Sequence, residues 1–109
     1  MAGNESVMVP FQYREFYDVP RCLIVHYQRS LILLQSTFDE QLDDYESDYS
    51  VYRLPDSVEE ALLGDSWKFL DDVSKTFIGR IPVSAVRFDS TKREGLDPAC
   101  LDDAVGSVG

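Results

Sequence analysis

Two aliphatic runs held apart by three polar residues constrain this chain most. Cys22-Leu23-Ile24-Val25-His26-Tyr27 and Leu31-Ile32-Leu33-Leu34-Gln35 flank Gln28-Arg29-Ser30. Each run has strand length and falls far short of the ~20 consecutive apolar residues that span a bilayer. Apolar side chains at successive positions mean that both faces of the first run are covered. The pattern predicts two central antiparallel strands, 22–27 and 31–35, joined by a short hairpin.

The flanking segments follow from that centre. Phe11, Tyr13, Tyr17 and Val19 alternate over 11–19 as in a strand, with Glu15 interrupting the apolar face. Pro20 then breaks its hydrogen bonding, so a bend or bulge is expected there. Ser50 to Leu54 reads as a fourth strand closed by Pro55, and residues 80–88 as a last one with Pro82 near its start.

Between them lies a helical pattern. Ser57 and Glu60 form a capping box ahead of Ala61-Leu62-Leu63, and Gly64 breaks that turn. Asp65 or Ser66 can cap a longer helix whose inner stripe is Trp67, Leu70, Val73, Ser74 and Phe77. Gly79 then supplies a left-handed residue past its end. Lys68, Asp71, Asp72 and Lys75 would face solvent.

These elements predict an α+β fold: a single small domain with a curved antiparallel sheet of about five strands. The order is β-β-β-β-α-β, and one main helix packs the sheet. A partly closed small β-barrel plugged by that helix is the alternative. Residues 1–9 are expected to be a flexible leader, 10–89 the domain and 90–109 a loosely ordered C-terminal tail. At 109 residues there is room for one core.

Composition bears mainly on partners. Twenty acids against ten bases give a formal charge of −10, and only Lys92 and Arg93 are adjacent bases. Nucleic acid and anionic lipid need clustered Lys and Arg, so neither is expected to bind. The N-terminal stretch has no secretory pattern, which makes the cytoplasm the expected location and reduced Cys22 and Cys100 the expected state.

The candidate site is the run from Asp39 to Tyr49. Asp39, Glu40, Asp43, Asp44, Glu46 and Asp48 place six carboxylates in eleven residues, with Tyr45 and Tyr49 between them and no base. Thr37 and Glu40 fit a capping box, and Phe38, Leu42, Tyr45 and Tyr49 have helical spacing. The later acids oppose the helix dipole, so a turn or two of helix followed by an acidic loop is expected.

Asp44, Glu46 and Asp48 resemble the start of a calcium loop, but Tyr49 stands where the turn glycine belongs and Pro55 where the bidentate acid belongs. No metal or cofactor is therefore expected. His26 and Cys22 share a strand face but lie ~13 Å apart by strand rise, too far for a nucleophile and its base. No serine elbow, phosphate loop or dinucleotide fingerprint is present, and no catalytic residue is assigned.

Tyrosines among acids offer anchoring area together with steering charge. The reading that follows is a non-catalytic interaction domain presenting an acidic, tyrosine-bearing surface to a basic protein. An immunity- or inhibitor-type protein is its sharpest form. The bland alternative is a solvated, solubilising loop. A different class, a small-ligand-binding domain or small enzyme, would set carboxylates and tyrosines in a pocket between sheet and helix, for instance Glu15 with Asp18 or Asp44. The aromatic cluster Phe11, Tyr13, Phe16 and Tyr17 also leaves a homodimer open, through a sheet face or an edge strand.

Overall fold

The computed structural model describes residues 8–27, 29–58, 67, 70 and 73–102. Its strands are β1 (Val9–Phe16), β2 (Pro20–Tyr27), β3 (Ser30–Gln35), β4 (Phe38–Asp39), β5 (Asp44–Tyr45), β6 (Asp48–Leu54), β7 (Thr76–Pro82) and β8 (Gly95–Leu96). Six of them form one sheet in the order β7-β6-β3-β2-β1-β8, and β4 and β5 pair as a separate hairpin. Every pairing is antiparallel.

The two aliphatic runs are the centre of the sheet, as their pattern requires. Leu23 pairs with Leu34, Ile24 with Leu33 and Val25 with Ile32, and Tyr27 meets Ser30 across the connection. Arg29 takes a φ of 67° there, the left-handed geometry that short hairpin connections use. Successive side chains point to opposite faces, so the run feeds two cores at once. Leu23, Val25, Ile32, Leu34, Tyr49 and Val51 pack on one face, covered by Val86, Leu96 and Leu101. Cys22, Ile24, Leu31, Leu33 and Leu54 pack on the other, covered by Val58, Trp67 and Leu70.

The expected α+β architecture does not hold. The fold is predominantly β, and no helix of seven or more residues occurs among the described residues. The helix drawn from Asp65 or Ser66 to Phe77 fails at its C-terminal half, because Thr76–Pro82 is strand β7. Phe77 is 55% exposed, its ring edge-on to Tyr52 at 5.6 Å. Gly79 is not a helix terminator. It pairs with Val51 and has no positive φ. Thr76, Phe77, Ile78 and Ile81 are β-branched or aromatic, and pairing with β6 outweighs the helical stripe they complete.

Trp67 and Leu70 are buried as that stripe implied. The Arg14 guanidinium lies 4.5 Å from the Trp67 ring centroid, and the indole N–H has no partner among the described residues. Asp56–Val58 is a short 3-10 turn, while most of the first capping-box helix, 59–66, lies outside the described residues. The helix-plugged barrel fails for the same reason as the helix. No helix among the described residues is long and apolar enough to cross a membrane.

Pro20 opens β2 instead of breaking a longer strand, paired with Phe16 at a position where a missing N–H is tolerated. At the far edge, a register shift between Val51 and Tyr52 places a bulge against β7. That bulge, Pro82 and Arg80 make the free side of β7 a poor template for another strand.

The last segment closes the opposite edge. Val9 pairs with Leu96 and Pro10 with Gly95. A Cβ on Gly95 would meet the Met8 Cβ and the Val9 carbonyl oxygen, both at 3.1 Å, so the close approach here favours glycine. Pro98–Leu101 follows as a 3-10 turn capped by Asp97, whose Oδ1 accepts the Ala99 N–H at 2.9 Å. The Tyr27 hydroxyl donates to the Asp102 carboxylate and ties this turn to β2.

Candidate functional site

The acidic run folds as a hairpin and not as a helical turn. Asp39 and Asp44 are direct cross-strand partners, as are Phe38 and Tyr45. Between the strands, Asp43 takes a φ of 54°, and the Asp39 Oδ1 accepts the Gln41 N–H at 2.9 Å. Asp is among the few residues that tolerate this left-handed geometry. The expected Thr37–Glu40 capping box is replaced by a bond across the hairpin's base. The Thr37 hydroxyl donates to the Glu46 carboxylate at 2.7 Å, and the Glu46 N–H to the Thr37 carbonyl at 2.9 Å.

Arg21 fastens the hairpin to the sheet. Its side chain is 7% exposed and meets the Asp18 carboxylate at 2.5 Å. Its Nη1 donates to the Ser36 hydroxyl at 3.1 Å and to the Glu46 carbonyl at 3.3 Å. Its guanidinium lies 4.9 Å from the Tyr45 ring centroid. One buried cation thus connects β2, the end of β3 and β5. A lone charge inside the apolar stretch Pro20-Arg21-Cys22-Leu23, with an acid three residues earlier, is the sequence signal for this arrangement.

Burial works to raise the Asp18 pKa, but the Arg21 hydrogen bond and charge, with backbone N–H donors, prevail and hold it below the ordinary value of 3.8. The linkage follows in sign: Asp18 stabilises the fold fully above the unfolded-state value and loses that contribution as pH falls through the lower folded-state value. A thermal-melt series taken downward from pH 6 should therefore show acid loss beginning below about pH 3.8. Asp18→Asn should remove part of that dependence. An unchanged profile in the variant would show that the pair contributes nothing to acid stability.

Aromatic rings cover the outer side of this network. Tyr45 contacts Tyr17 at 5.5 Å and Phe38 at 5.3 Å between centroids. Tyr17 is 67%, Phe38 49% and Leu42 69% exposed. A groove of about 720 Å³ opens here, lined by Tyr17 to Val19, Asp43 to Ser47 and the 83–88 segment.

The predicted residues divide into three groups. Asp43, Asp44, Tyr45 and Glu46 line the groove. Asp39 and Glu40 belong to the same hairpin but not to the lining, and Asp48 lies on β6 opposite Pro82. Tyr49 is fully buried, with its hydroxyl donating to the Pro20 carbonyl at 2.6 Å, so it offers no surface. Tyr17, Asp18 and Arg21 belong to the site and were not assigned to it from sequence.

The nucleophile candidates are poorly placed for chemistry. Burial and the charge of Glu15 push the Cys22 thiol up to about 12, which leaves it unreactive at neutral pH. Burial also raises Cys100, whose Sγ donates to the Asp97 carbonyl at 2.8 Å. His26 is an exposed residue of β2 paired with Leu31. Among the described residues no three His, Cys, Asp or Glu side chains converge as a metal site would require. Among the described residues no helix long enough to bound the expected pocket between sheet and main helix occurs.

Comparison with known protein families, curated proteins and solved structures yields no match.

Proposed function

We propose that this chain is a non-catalytic recognition domain whose acidic, tyrosine-bearing hairpin docks onto a basic protein. Exposed apolar side chains set among carboxylates carry the reading. Tyr17, Phe38 and Leu42 stand open to solvent beside Asp18, Asp39, Glu40, Asp43 and Asp44. Rings and a leucine supply area to bury, and the acids select a cationic partner and speed its approach. Masking the basic site of an enzyme, as an inhibitor does, is the sharpest form of this function.

The cross-strand Asp39–Asp44 pair supports the same reading. Like charges directly opposite one another destabilise a hairpin, and a cation placed over them turns that cost into attraction. The chain tolerates a local penalty where a basic partner would relieve it.

The test compares two doubly neutralised proteins of equal net charge. Asp43→Asn/Asp44→Asn alters the site, and Asp56→Asn/Glu94→Gln alters exposed acids elsewhere. Each is titrated with a short peptide alternating arginine and leucine. The site variant should bind about tenfold more weakly, the combined value of two exposed charge contacts of up to ~1 kcal/mol each. Its melting temperature should stay the same or rise. Equal weakening in both variants would mean that only net charge matters, and the reading would fail.

A further inference from the structure

The hairpin surface already shows how it receives a guanidinium. Arg21 lies 4.9 Å from the Tyr45 ring, and Tyr17 packs on Tyr45 at 5.5 Å with an interplanar angle of 36°. These three groups form a chain of contacts from the buried cation to an exposed ring. Tyr45 is half-buried among Arg21, Tyr17 and Phe38. Tyr17 is 67% exposed and keeps a face for a ligand.

We infer that the groove recognises an arginine side chain of the partner, stacked on Tyr17 as Arg21 lies against Tyr45, in preference to a lysine. This rests on the proposed docking of a basic protein and names the side chain that it reads. Charge fixes the sign of the occupant. Arg21 is offset by Asp18, which leaves Asp43, Asp44 and Glu46 against Lys92 in the lining. Geometry fixes its type. A planar, weakly hydrated guanidinium stacks on an aromatic face while its edge still bonds carboxylates, whereas an ammonium is a compact, strongly hydrated point charge. A groove of about 720 Å³ is ample for one such side chain and the backbone that carries it.

The experiment uses two peptides of the same length and charge, one alternating arginine with leucine and one alternating lysine with leucine. Each is titrated against the full chain and against Tyr17→Leu. The wild type should bind the arginine peptide about threefold to tenfold more tightly, the range expected for a partly exposed stacked cation. Tyr17→Leu keeps apolar area but removes the π face, and should bring the ratio close to one. Equal affinities in the wild type, or a ratio unchanged in Tyr17→Leu, would overturn the inference.

The Asp43→Asn/Asp44→Asn protein separates the two levels of the argument. If it loses the lysine and arginine peptides alike while the wild-type ratio is one, docking stands and arginine selectivity falls. If it loses neither beyond its charge-matched control, docking falls and the inference falls with it.

Discussion

Tyr49→Ala should remove a large share of the folding stability of this chain. The side chain is fully buried in the core between β6 and β2, and its hydroxyl bonds the Pro20 carbonyl at 2.6 Å. Deleting a buried aromatic ring costs about 3–5 kcal/mol, and a domain of this size has about 5–15 kcal/mol in total. Tyr49→Phe separates the two contributions. It keeps the ring and removes the hydrogen bond to the Pro20 carbonyl, for an expected loss of about 0.5–1.5 kcal/mol. Urea denaturation of both variants checks the pair. A Tyr49→Ala protein close to wild type would mean that this face of the sheet is not the core.

The second large effect is expected at Arg21. Arg21→Met retains much of the apolar stem and removes the bonds to Asp18, Ser36 and the Glu46 carbonyl, together with the contact under Tyr45. Breaking a buried ion pair costs up to ~5 kcal/mol, most of it from the partner left charged and dry. Here that partner, Asp18, is 58% exposed and can be hydrated. The expected loss is therefore smaller, about 2–3 kcal/mol.

Its location is more telling than its size. The Glu46 N–H, which bonds Thr37, should exchange with solvent much faster, while the β2–β3 amides should keep their protection order. Uniform loss across the sheet would show that Arg21 supports the whole core and does not specifically fasten the hairpin. Arg21→Met should also weaken the arginine peptide, because Tyr45, on which Tyr17 packs, would lose its contact with the guanidinium.

The legible and illegible parts of this fold differ for physical reasons. The β2–β3 pair could be read because an apolar run covered on both faces has few alternatives. Trp67 and Leu70 could be read as core because they share the apolar stripe of the helical pattern, and both are buried. Residues 76–79 misled because the helical stripe ends at Phe77 inside a sheet-forming sequence, and tertiary pairing with β6 decides between them. Leu96 and Leu101 are fully buried although apolar density falls after Asp89. Their burial depends on β8 meeting β1, a contact between residues more than eighty positions apart.

The site was half legible. Density of charge pointed to residues 39–49, and four of the eight residues chosen there line the groove. Tyr49 was misassigned because sequence proximity to acids says nothing about which strand face a ring occupies. Its neighbour Asp48 begins β6, and one residue further on the side chain turns inward. Tyr17 and Asp18 come from a bend, and Arg21 from the start of β2, about twenty residues upstream of the hairpin. Only the lone arginine in an apolar strand marked that connection.

The pairing of β1 with β8 bears on the order of events during synthesis. Strands β1, β2, β3 and β6 are consecutive neighbours in the sheet apart from the inserted hairpin, and they can assemble as they leave the ribosome. The outer side of β1 waits until Gly95 and Leu96 have been made. Through that interval a nascent chain carries one open edge, together with an apolar face that Leu96 and Leu101 do not yet cover. Among the described residues, the finished sheet guards its β7 edge with a bulge and a proline, and the Val9–Pro10 end of β1 with its own late-arriving residues. A stalled or clipped chain that ends before β8 would thus expose the surface through which sheets aggregate.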